Sequence, residues 1–284
     1  MGKERIDTRA IGLDVGLSFV KWLTGAENLH YGLWTGLETA AENTGKAQAA
    51  YTDKLFGYLP AGPLSILDIG GGAGETARKL IALGHSVEIV VPSSILAARC
   101  RANAPEAEVH EMTFEAFDTE NRYDLCLFSE SFQYIPLDIA LGRSLDLLKT
   151  DGHILIADCF RSDDFAPDGQ TRIPGGGHPV SAFRTRVAGL PVDVLGEEDI
   201  TDAVAPSIDL EQALFHVFGD AVTRIESELA EKRPKSRWLL NRALKLLISR
   251  RRRRRLDIRL RGEERTSAAF TKNNRYLITL LGMR

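Results

Sequence analysis

The residues best suited to chemistry are an aspartate and the glycine loop that follows it. The apolar run LSILDI ends at Asp68 and Ile69 and is followed by Gly70, Gly72 and Gly74. Glycine lets the backbone pass close to a ligand, and a helix after the loop points its free N–H groups and positive dipole end at the same place. Because ligands of parallel sheets bind beyond the carboxyl ends of the strands, this loop is predicted to bind a cofactor.

Two classes of cofactor fit the loop. Residues 72–77, GAGETA, satisfy the dinucleotide fingerprint G-x-G-x-x-A, which is a weak signal by itself. The carboxylate of Asp68, however, would repel a pyrophosphate and attract the cationic amino-acid end of S-adenosylmethionine. We therefore favour S-adenosylmethionine and keep a nicotinamide dinucleotide as the alternative.

With these residues the sequence resembles the class I S-adenosylmethionine-dependent methyltransferases, in particular those that act on small molecules and lipids. The first motif of that family, LDxGxGxG, is matched at positions 67–74. LFSESFQYIP is similar to its ES-x-x-H-M/I-P segment, with Tyr134 where histidine is usual, and NLHYGLW is similar to its HxGxW stretch. EEDITDAVAPS and RYLITLLG are similar to its tail, so the resemblance touches most of the chain.

The resemblance implies a set of cofactor-binding residues, with the glycine loop around the methionine moiety and Tyr31 over it. The family's second strand usually ends in an acid that binds both ribose hydroxyls, but this chain has Val91 there, and Glu88 lies too early in the strand. Ser93 and Ser94 are the weaker substitutes, at a cost of about 1.5 to 3 kcal/mol of affinity. The full predicted set is Tyr31, Asp68, Gly70, Gly72, Gly74, Ser93, Ser94, Thr113, Phe114 and Ser129.

Three residues are candidates for the chemistry on the acceptor. Methyl transfer is an in-line displacement, so an enzyme mainly aligns donor and acceptor and removes a proton where the acceptor carries one. Glu130, after the fourth predicted strand, is a candidate base or substrate anchor, with helix capping as its structural interpretation. Tyr134, one turn further on, is placed either to orient an acceptor or to pack against a cap. His178 follows three glycines, and a reference pKa of about 6.5 suits a base near neutral pH.

The pattern of elements predicts an α/β fold. Short β-branched runs alternate with helical segments from Leu64 onward, which indicates βαβ units. We predict a doubly wound, mostly parallel seven-stranded sheet with a helical N-terminal lid and a C-terminal helical cap. The predicted strands are 64–69, 86–91, 107–112, 123–129, 152–159, 191–199 and 275–283. The predicted helices are 11–23, 46–59, 74–83, 94–103, 137–149, 179–188, 209–231 and 236–255.

The same pattern suggests three parts of the chain. Residues 1–60 are predicted to form the lid, residues 61–205 and 265–284 the cofactor-binding domain, and residues 206–264 the cap. The glycine- and proline-rich loop RSDDFAPDGQTRIPGGGHPV, after the fifth strand, is predicted to close over the substrate and exclude water.

Composition limits the class of protein. With 284 residues, 44% of them hydrophobic and 26% charged, the chain is typical of soluble globular proteins. Three scattered cysteines and the absence of clustered histidines argue against a disulfide framework and a zinc site. The start of the chain, MGKERID, carries neither a signal-peptide core nor a myristoylation motif. We expect a cytoplasmic protein that binds no metal, peripheral at the inner membrane face if its basic segment binds lipid.

Positive charge is concentrated in that basic segment. Between Lys232 and Arg261 there are fourteen Lys or Arg and one acid, so the segment carries +13 and the remaining 254 residues carry −16. Its helix is amphipathic and ends in six arginines, Arg250 to Arg255. Three interpretations stay open: a solvated face whose cationic last turn complements the helix dipole, contact of residues 236–261 with an anionic membrane, and nucleic-acid binding, which the acidic remainder disfavours.

The sequence therefore predicts methyl transfer from S-adenosylmethionine to an O, N or C atom of a small, hydrophobic metabolite or lipid precursor. An NAD(P)-dependent oxidoreductase is the alternative enzyme. A non-catalytic cofactor-fold binding module is the alternative outside catalysis, because Val91 stands where the ribose-binding acid is expected.

Overall fold

One seven-stranded sheet organises the chain. The computed structural model describes residues 8–165 and 174–284. The strands are β1 (Ser65–Ile69), β2 (Ser86–Val90), β3 (Glu108–His110), β4 (Tyr123–Ser129), β5 (Leu148–Arg161), β6 (Val192–Asp199) and β7 (Asn274–Met283). Their order across the sheet is β3-β2-β1-β4-β5-β7-β6. The first five strands are parallel, and β7 runs antiparallel to both of its neighbours, so the predicted fold class is confirmed.

Helices connect the strands, and most lie within a few residues of their predicted positions. They are α1 (Thr8–Thr24), α2 (Thr44–Phe56), α3 (Glu75–Ala82), α4 (Ser94–Asn103), α5 (Leu137–Leu147), α6 (Val180–Ala188), α7 (Thr201–Val204), α8 (Pro206–Lys232), α9 (Pro234–Leu247), α10 (Arg250–Arg261) and α11 (Ser267–Asn273). Among these helices, none is long and apolar enough to cross a membrane.

The central strands are buried on both faces, which is why they appear in the sequence as continuous apolar runs rather than as alternating ones. Ile66 and Leu125 belong to the core on one face of the sheet, together with Tyr51 of α2. Leu67 and Cys126 belong to the core on the other face. Helix α2 therefore contributes to the main core.

The basic segment is two helices, so the prediction of one helix over 236–255 was wrong. Ile248 has an extended backbone, with φ −118° and ψ 120°, and ends α9. The Ser249 side chain then accepts a hydrogen bond from the N–H of Arg252 and caps the start of α10. Arg250 to Arg255 consequently lie at the N-terminal end of a helix, where positive charge is unfavourable, and not in the cationic last turn that the solvated-face interpretation assumed.

A buried ion cluster fixes the N-terminal segment beside the glycine loop. Glu27, after α1, is 1% exposed. Its carboxylate accepts hydrogen bonds from Arg99 at 2.6 Å, Asn103 at 2.7 Å and Lys21 at 3.0 Å. Asn103 also donates to the carbonyl of Ala73 in the loop, at 2.9 Å. The segment that carries Tyr31 is thereby held against α4 and the loop.

The division into lid, cofactor-binding domain and cap stays a prediction. So does the closing loop after β5, of which residues 166–173 lie outside the described part of the chain. Ile11, one of the residues that indicated the first helix, also has its side chain outside it.

Candidate functional site

The glycine loop joins β1 to α3 and has a backbone that glycine adopts most readily. Gly70, Gly72 and Gly74 have φ values of 78°, 56° and 86°. A Cβ on Gly70 would lie 2.3 Å from the Cβ of Ser131, so a side chain there would collide. A Cβ on Gly72 would meet, among the described residues within 4 Å, only Leu29 Cδ1 at 3.8 Å. The loop is therefore packed on the protein side at Gly70 and open at Gly72.

Asp68 lies directly against this loop. Its side chain is 1% exposed, and within the described residues its Oδ2 atom has no hydrogen-bond partner. A Cβ on Gly71 would lie 2.7 Å from that oxygen. Burial raises the pKa of Asp68 to about 7. A cation beside the carboxyl would favour its ionised form, whereas a phosphate would disfavour it further.

Glu130 follows β4 and joins three distant parts of the chain. It has a φ of 58° and is, in the described part of the chain, the single non-glycine residue with positive φ, which costs on the order of 1 to 3 kcal/mol. Its Oε1 atom accepts hydrogen bonds from the backbone N–H of Tyr31, at 2.8 Å, and from the hydroxyl of Tyr276, at 2.9 Å. Withdrawal from water raises the pKa of Glu130 to about 8, although the Tyr31 bond opposes the shift.

A line of buried hydroxyl groups ends on the same oxygen. Tyr51 and Tyr276 lie 2.8 Å apart through their hydroxyls, and Ser129 Oγ lies 3.3 Å from that of Tyr51. Because the proton of Tyr276 is donated to Glu130, Tyr51 must donate to Tyr276, and Ser129 to Tyr51. We call Ser129, Tyr51, Tyr276 and Glu130 the hydroxyl chain. Neither tyrosine was predicted to belong to the site, since each lies at an apolar position of its element and the similarity of RYLITLLG to the family's tail gave Tyr276 no role of its own.

Asp158, near the end of β5, is a third carboxyl at this edge of the sheet. It is completely buried, and it accepts hydrogen bonds from the backbone N–H of Gln133 at 3.0 Å and from its side-chain amide at 2.9 Å. Burial raises the pKa of Asp158 to about 7, although the bonds to Gln133 oppose the shift. Its charge also raises the pKa of Glu130. The edge where β1, β4 and β5 end therefore favours a cationic ligand.

The NLHYGLW segment packs onto this edge and meets the predicted tail. The N–H of Gly32 and the indole N–H of Trp34 both donate to the hydroxyl of Ser207, at 3.0 and 2.8 Å. The Tyr31 ring lies 6.1 Å from that of Tyr276. Two segments that the resemblance singled out, far apart in the sequence, are thus in contact.

His30 in the same segment is a structural residue. Its ring stacks on Tyr51 at 4.4 Å, and Nδ1 lies 2.8 Å from the carbonyl oxygen of Tyr31. Burial lowers the pKa of His30 to about 4, although the bond to the Tyr31 carbonyl opposes the shift. The ring is therefore neutral at physiological pH.

The two other predicted catalytic residues lie apart from the hydroxyl chain. His178 Nε2 donates to the carbonyl of Ile135 at 2.9 Å, and its ring lies edge-on to Phe132 at 5.6 Å. This bond fixes the tautomer that carries the proton on Nε2. Tyr134 is 72% exposed. Their parts in catalysis stay predictions.

The predicted ribose site at the end of β2 stays a prediction, and the structure shows what surrounds its candidate residues. Val91 is buried, and the Glu88 carboxylate is bound to His110 Nε2 at 2.9 Å and to the Asn121 amide at 3.0 Å. Ser93 caps α4 by accepting a hydrogen bond from the Leu96 N–H at 3.4 Å, so its hydroxyl already has a structural function. Ser94, the exposed first residue of α4, is the freer of the two substitutes.

Thr113 and Phe114 lie after β3, and they differ in the groups that a cofactor could contact. The Phe114 ring is 3% exposed and packs edge-on to Phe128 at 5.9 Å, so it belongs to the core. A contact between Phe114 and a cofactor would have to use its backbone. The Thr113 side chain is exposed.

The site fits S-adenosylmethionine better than a dinucleotide. The unpartnered oxygen of Asp68 and the open space at Gly72 lie within one short loop. An ammonium group would provide the partner that this oxygen lacks, whereas a diphosphate would bring negative charge toward it. Asp68 and the loop glycines would hold the amino-acid end of the cofactor, and Ser94 would be near its ribose.

The match to known protein families agrees with this chemistry. A family model described as a methyltransferase domain matches residues 40–186. An uncharacterized methyltransferase of Bacillus mycoides (strain KBAB4) is 27% identical over 124 residues, which make up 42% of this chain and 58% of that protein. The matched segment thus spans little more than half the length of this curated relative.

Solved structures of similar fold include several enzymes. The cyclopropane synthase MmaA2 of Mycobacterium tuberculosis has a TM-score of 0.67 at 18% identity, with 95% of each chain covered. The geranyl diphosphate C-methyltransferase of Streptomyces coelicolor A3(2), solved with S-adenosyl-L-homocysteine, has a TM-score of 0.59 at 15% identity and covers 96% of this chain and 92% of that one. At these identities the likeness concerns the fold.

We predict that Asp68→Asn stabilises the ligand-free protein, and more so at high pH. Because the folded pKa of about 7 lies above the ordinary value of 3.8, ionising Asp68 weakens folding as the pH rises from about 4 to about 7. The gain in unfolding free energy should be on the order of 2 to 3 kcal/mol larger at pH 8 than at pH 5. Urea unfolding at both pH values measures it. Asp118→Asn, at an exposed aspartate, is the control, and an equal gain at both pH values would contradict the prediction.

We also predict that Tyr51 and Tyr276 of the hydroxyl chain contribute to stability in a coupled, non-additive way. Tyr276→Phe and Tyr51→Phe should each lower the unfolding free energy by about 1 to 3 kcal/mol, because each leaves a buried partner unsatisfied. The double variant should cost less than the sum, with a coupling of about 0.5 kcal/mol or more. Tyr58→Phe, whose hydroxyl binds Glu198 elsewhere, should add to Tyr276→Phe without coupling. If the changes in unfolding free energy of the Tyr51 and Tyr276 variants, measured by urea unfolding, were strictly additive, the hydrogen-bonded hydroxyl chain would be contradicted.

Proposed function

Because the chain belongs to the methyltransferase domain family, we propose that it transfers a methyl group from S-adenosylmethionine to an O, N or C atom of a small hydrophobic acceptor. The single observation that carries this proposal is the buried oxygen of Asp68 without a partner, among the described residues, beside the open glycine loop. A family member that had lost its cofactor would have no reason to keep a buried, unpaired carboxyl there, since such a group costs stability.

Residues around the glycine loop bind and position the methyl donor. When bound, S-adenosylmethionine would supply an electrophilic methyl group on its sulfonium sulfur. Asp68 and the loop glycines hold the charged end of the donor. Tyr31 closes over this end, and its backbone is held in place by Glu130. Its segment is anchored to α4 and the glycine loop through Glu27 and Asn103.

Glu130 is the group we assign to proton removal from the acceptor. Both hydrogen bonds that the structure gives to its side chain end on Oε1, which leaves Oε2 to accept a proton. With a pKa of about 8, the carboxyl is poised close to neutral pH, where a general base works best. Tyr134 and Nδ1 of His178 are further candidates for orienting the acceptor.

A hydrophobic acceptor is supported by the kind of enzymes that share the fold. One of them is a cyclopropane synthase, and another is a geranyl diphosphate C-methyltransferase. The nicotinamide oxidoreductase is not favoured, because the charge of Asp68 and the family both point away from it.

We predict that the protein binds S-adenosylhomocysteine and that Asp68→Asn weakens this binding tenfold to a hundredfold. The loss corresponds to one charge-assisted hydrogen bond, about 1.5 to 3 kcal/mol. Isothermal titration calorimetry measures it, with Asp118→Asn as the matched control and NADH as the competing ligand. Binding of NADH instead would support the oxidoreductase, and binding of neither would support the non-catalytic module.

We predict that Glu130→Gln keeps donor binding within about twofold but slows methyl transfer about 10² to 10⁴-fold. The amide oxygen still accepts from Tyr31 and Tyr276, whereas the proton acceptor is lost. Because Glu130 acts as a base when ionised, the wild-type rate should rise with pH up to about 8, and this rise should vanish in the variant.

The measurement is transfer of labelled methyl from S-adenosylmethionine to geranyl diphosphate and to extracted lipids. Glu115→Gln, at an exposed glutamate, is the control. An unchanged rate and pH profile in Glu130→Gln would leave Glu130 with a positioning role alone.

A further inference from the structure

Helix α9 is amphipathic, yet none of its residues is buried. Leu239 is 63% exposed, and Leu246 and Leu247 are each 81% exposed. The apolar stripe of a helix in a soluble protein normally packs against the core. In the described part of the chain no element covers these leucines.

The polar side of α9 is cationic. At helical spacing Leu240, Leu244 and Leu247 share one side, while Arg242 and Lys245 lie on the other. The Arg242 guanidinium lies over the Trp238 ring, 5.4 Å from its centroid. An apolar side of leucines opposite a cationic side is the arrangement of helices that lie in a membrane interface.

The neighbouring helices extend this surface. Helices α9 and α10 both contact α8. Phe218 and Ile225 of α8 and Leu256 of α10 are all more than half exposed. We call α9 together with residues 250–256 of α10 the cap surface.

The six arginines of the cap surface are not neutralised by nearby acids. Among the described residues, no ion pair involves Arg250 to Arg255, whereas Arg259 pairs with Glu211, and Arg261 with Glu226 and Asp257. Six adjacent cations at the N-terminal end of a helix repel one another and oppose the helix dipole. The arrangement is unfavourable in isolation, and anions from outside the chain would relieve it.

We propose that the cap surface binds an anionic phospholipid membrane, with its leucines at the acyl boundary and its arginines on lipid phosphates. Apolar area and positive charge on one short segment match both components of such a surface. A nucleic acid would bind the arginines through its phosphates but would leave the leucines in water. The segment also contains one aromatic residue, Trp238, on which a base could stack. A symmetric dimer through this face would bring two segments of charge +13 together. The proposal does not depend on methyl transfer, and its test needs neither donor nor acceptor.

Flotation of the full chain with vesicles tests the proposal. The protein should float with vesicles of phosphatidylcholine and phosphatidylglycerol, should not float with phosphatidylcholine alone, and should be released by salt. The triple variant Arg251→Gln, Arg252→Gln, Arg254→Gln should lower the partition coefficient about a hundredfold, since each arginine near the surface contributes about 1 kcal/mol, or about fivefold. Leu246→Ser with Leu247→Ser should lower it at least about tenfold.

Matched variants control for net charge and exposed apolar area. The triple variant Arg101→Gln, Arg122→Gln, Arg184→Gln removes the same charge from exposed arginines elsewhere, and Leu83→Ser changes an exposed leucine at the end of α3. Both should float like the wild type. Circular dichroism of each variant checks folding, and the lipid and salt dependence of the wild type does not rely on any variant.

Several outcomes would overturn the proposal. One is equal recovery of the wild type from both kinds of vesicle. Another is a loss of partitioning in the control triple variant as large as that in the Arg251, Arg252, Arg254 variant. A dimer detected by light scattering and abolished by the leucine variant, without flotation, would assign the surface to a second copy of the chain. Binding of a short RNA probe that the arginine variant loses, again without flotation, would assign it to nucleic acid.

Discussion

A carboxyl group that is closed off from water, with one oxygen that has no partner among the described residues, is the constraint on which this site depends. Asp68 is held at the end of β1 against a loop that needs glycine at three positions. Ionising it in the ligand-free protein is unfavourable, so the fold carries a cost that a cationic ligand removes. In the proposed binding mode, the affinity for the donor and the stability of the ligand-free protein would therefore both depend on this carboxyl.

A second interaction brings the rest of the site to that loop. The Oε1 atom of Glu130 receives one hydrogen bond from the N-terminal segment and one from β7. Residues 99 and 146 positions away in the chain thus meet at one atom. The positive φ of Glu130 is tolerated because these partners fix its side chain. The residue proposed to close over the donor and the residue proposed to take a proton are hence joined by a hydrogen bond.

The sequence was sufficient for the features that arise locally. The parallel strands could be predicted because strands buried on both faces appear as unbroken apolar runs, and the loop because its glycines and Asp68 lie within seven positions. Tyr51 and Tyr276 could not be predicted, since their importance comes from a contact between α2 and β7. The capping role of Ser93 and the helix break at Ser249 were also missed, because each depends on one local hydrogen bond that competes with a stronger pattern.

The reversed strand has a consequence for how the sheet is assembled. β7 lies between β5 and β6, and Arg161 of β5 pairs with Asn274 of β7. During synthesis, β5 and β6 therefore emerge from the ribosome long before the strand that separates them. Until β7 arrives, both present open edges that invite pairing with other chains. The cap helices, made in that interval, set the delay, so the aggregation risk of the nascent chain grows with the length of the cap.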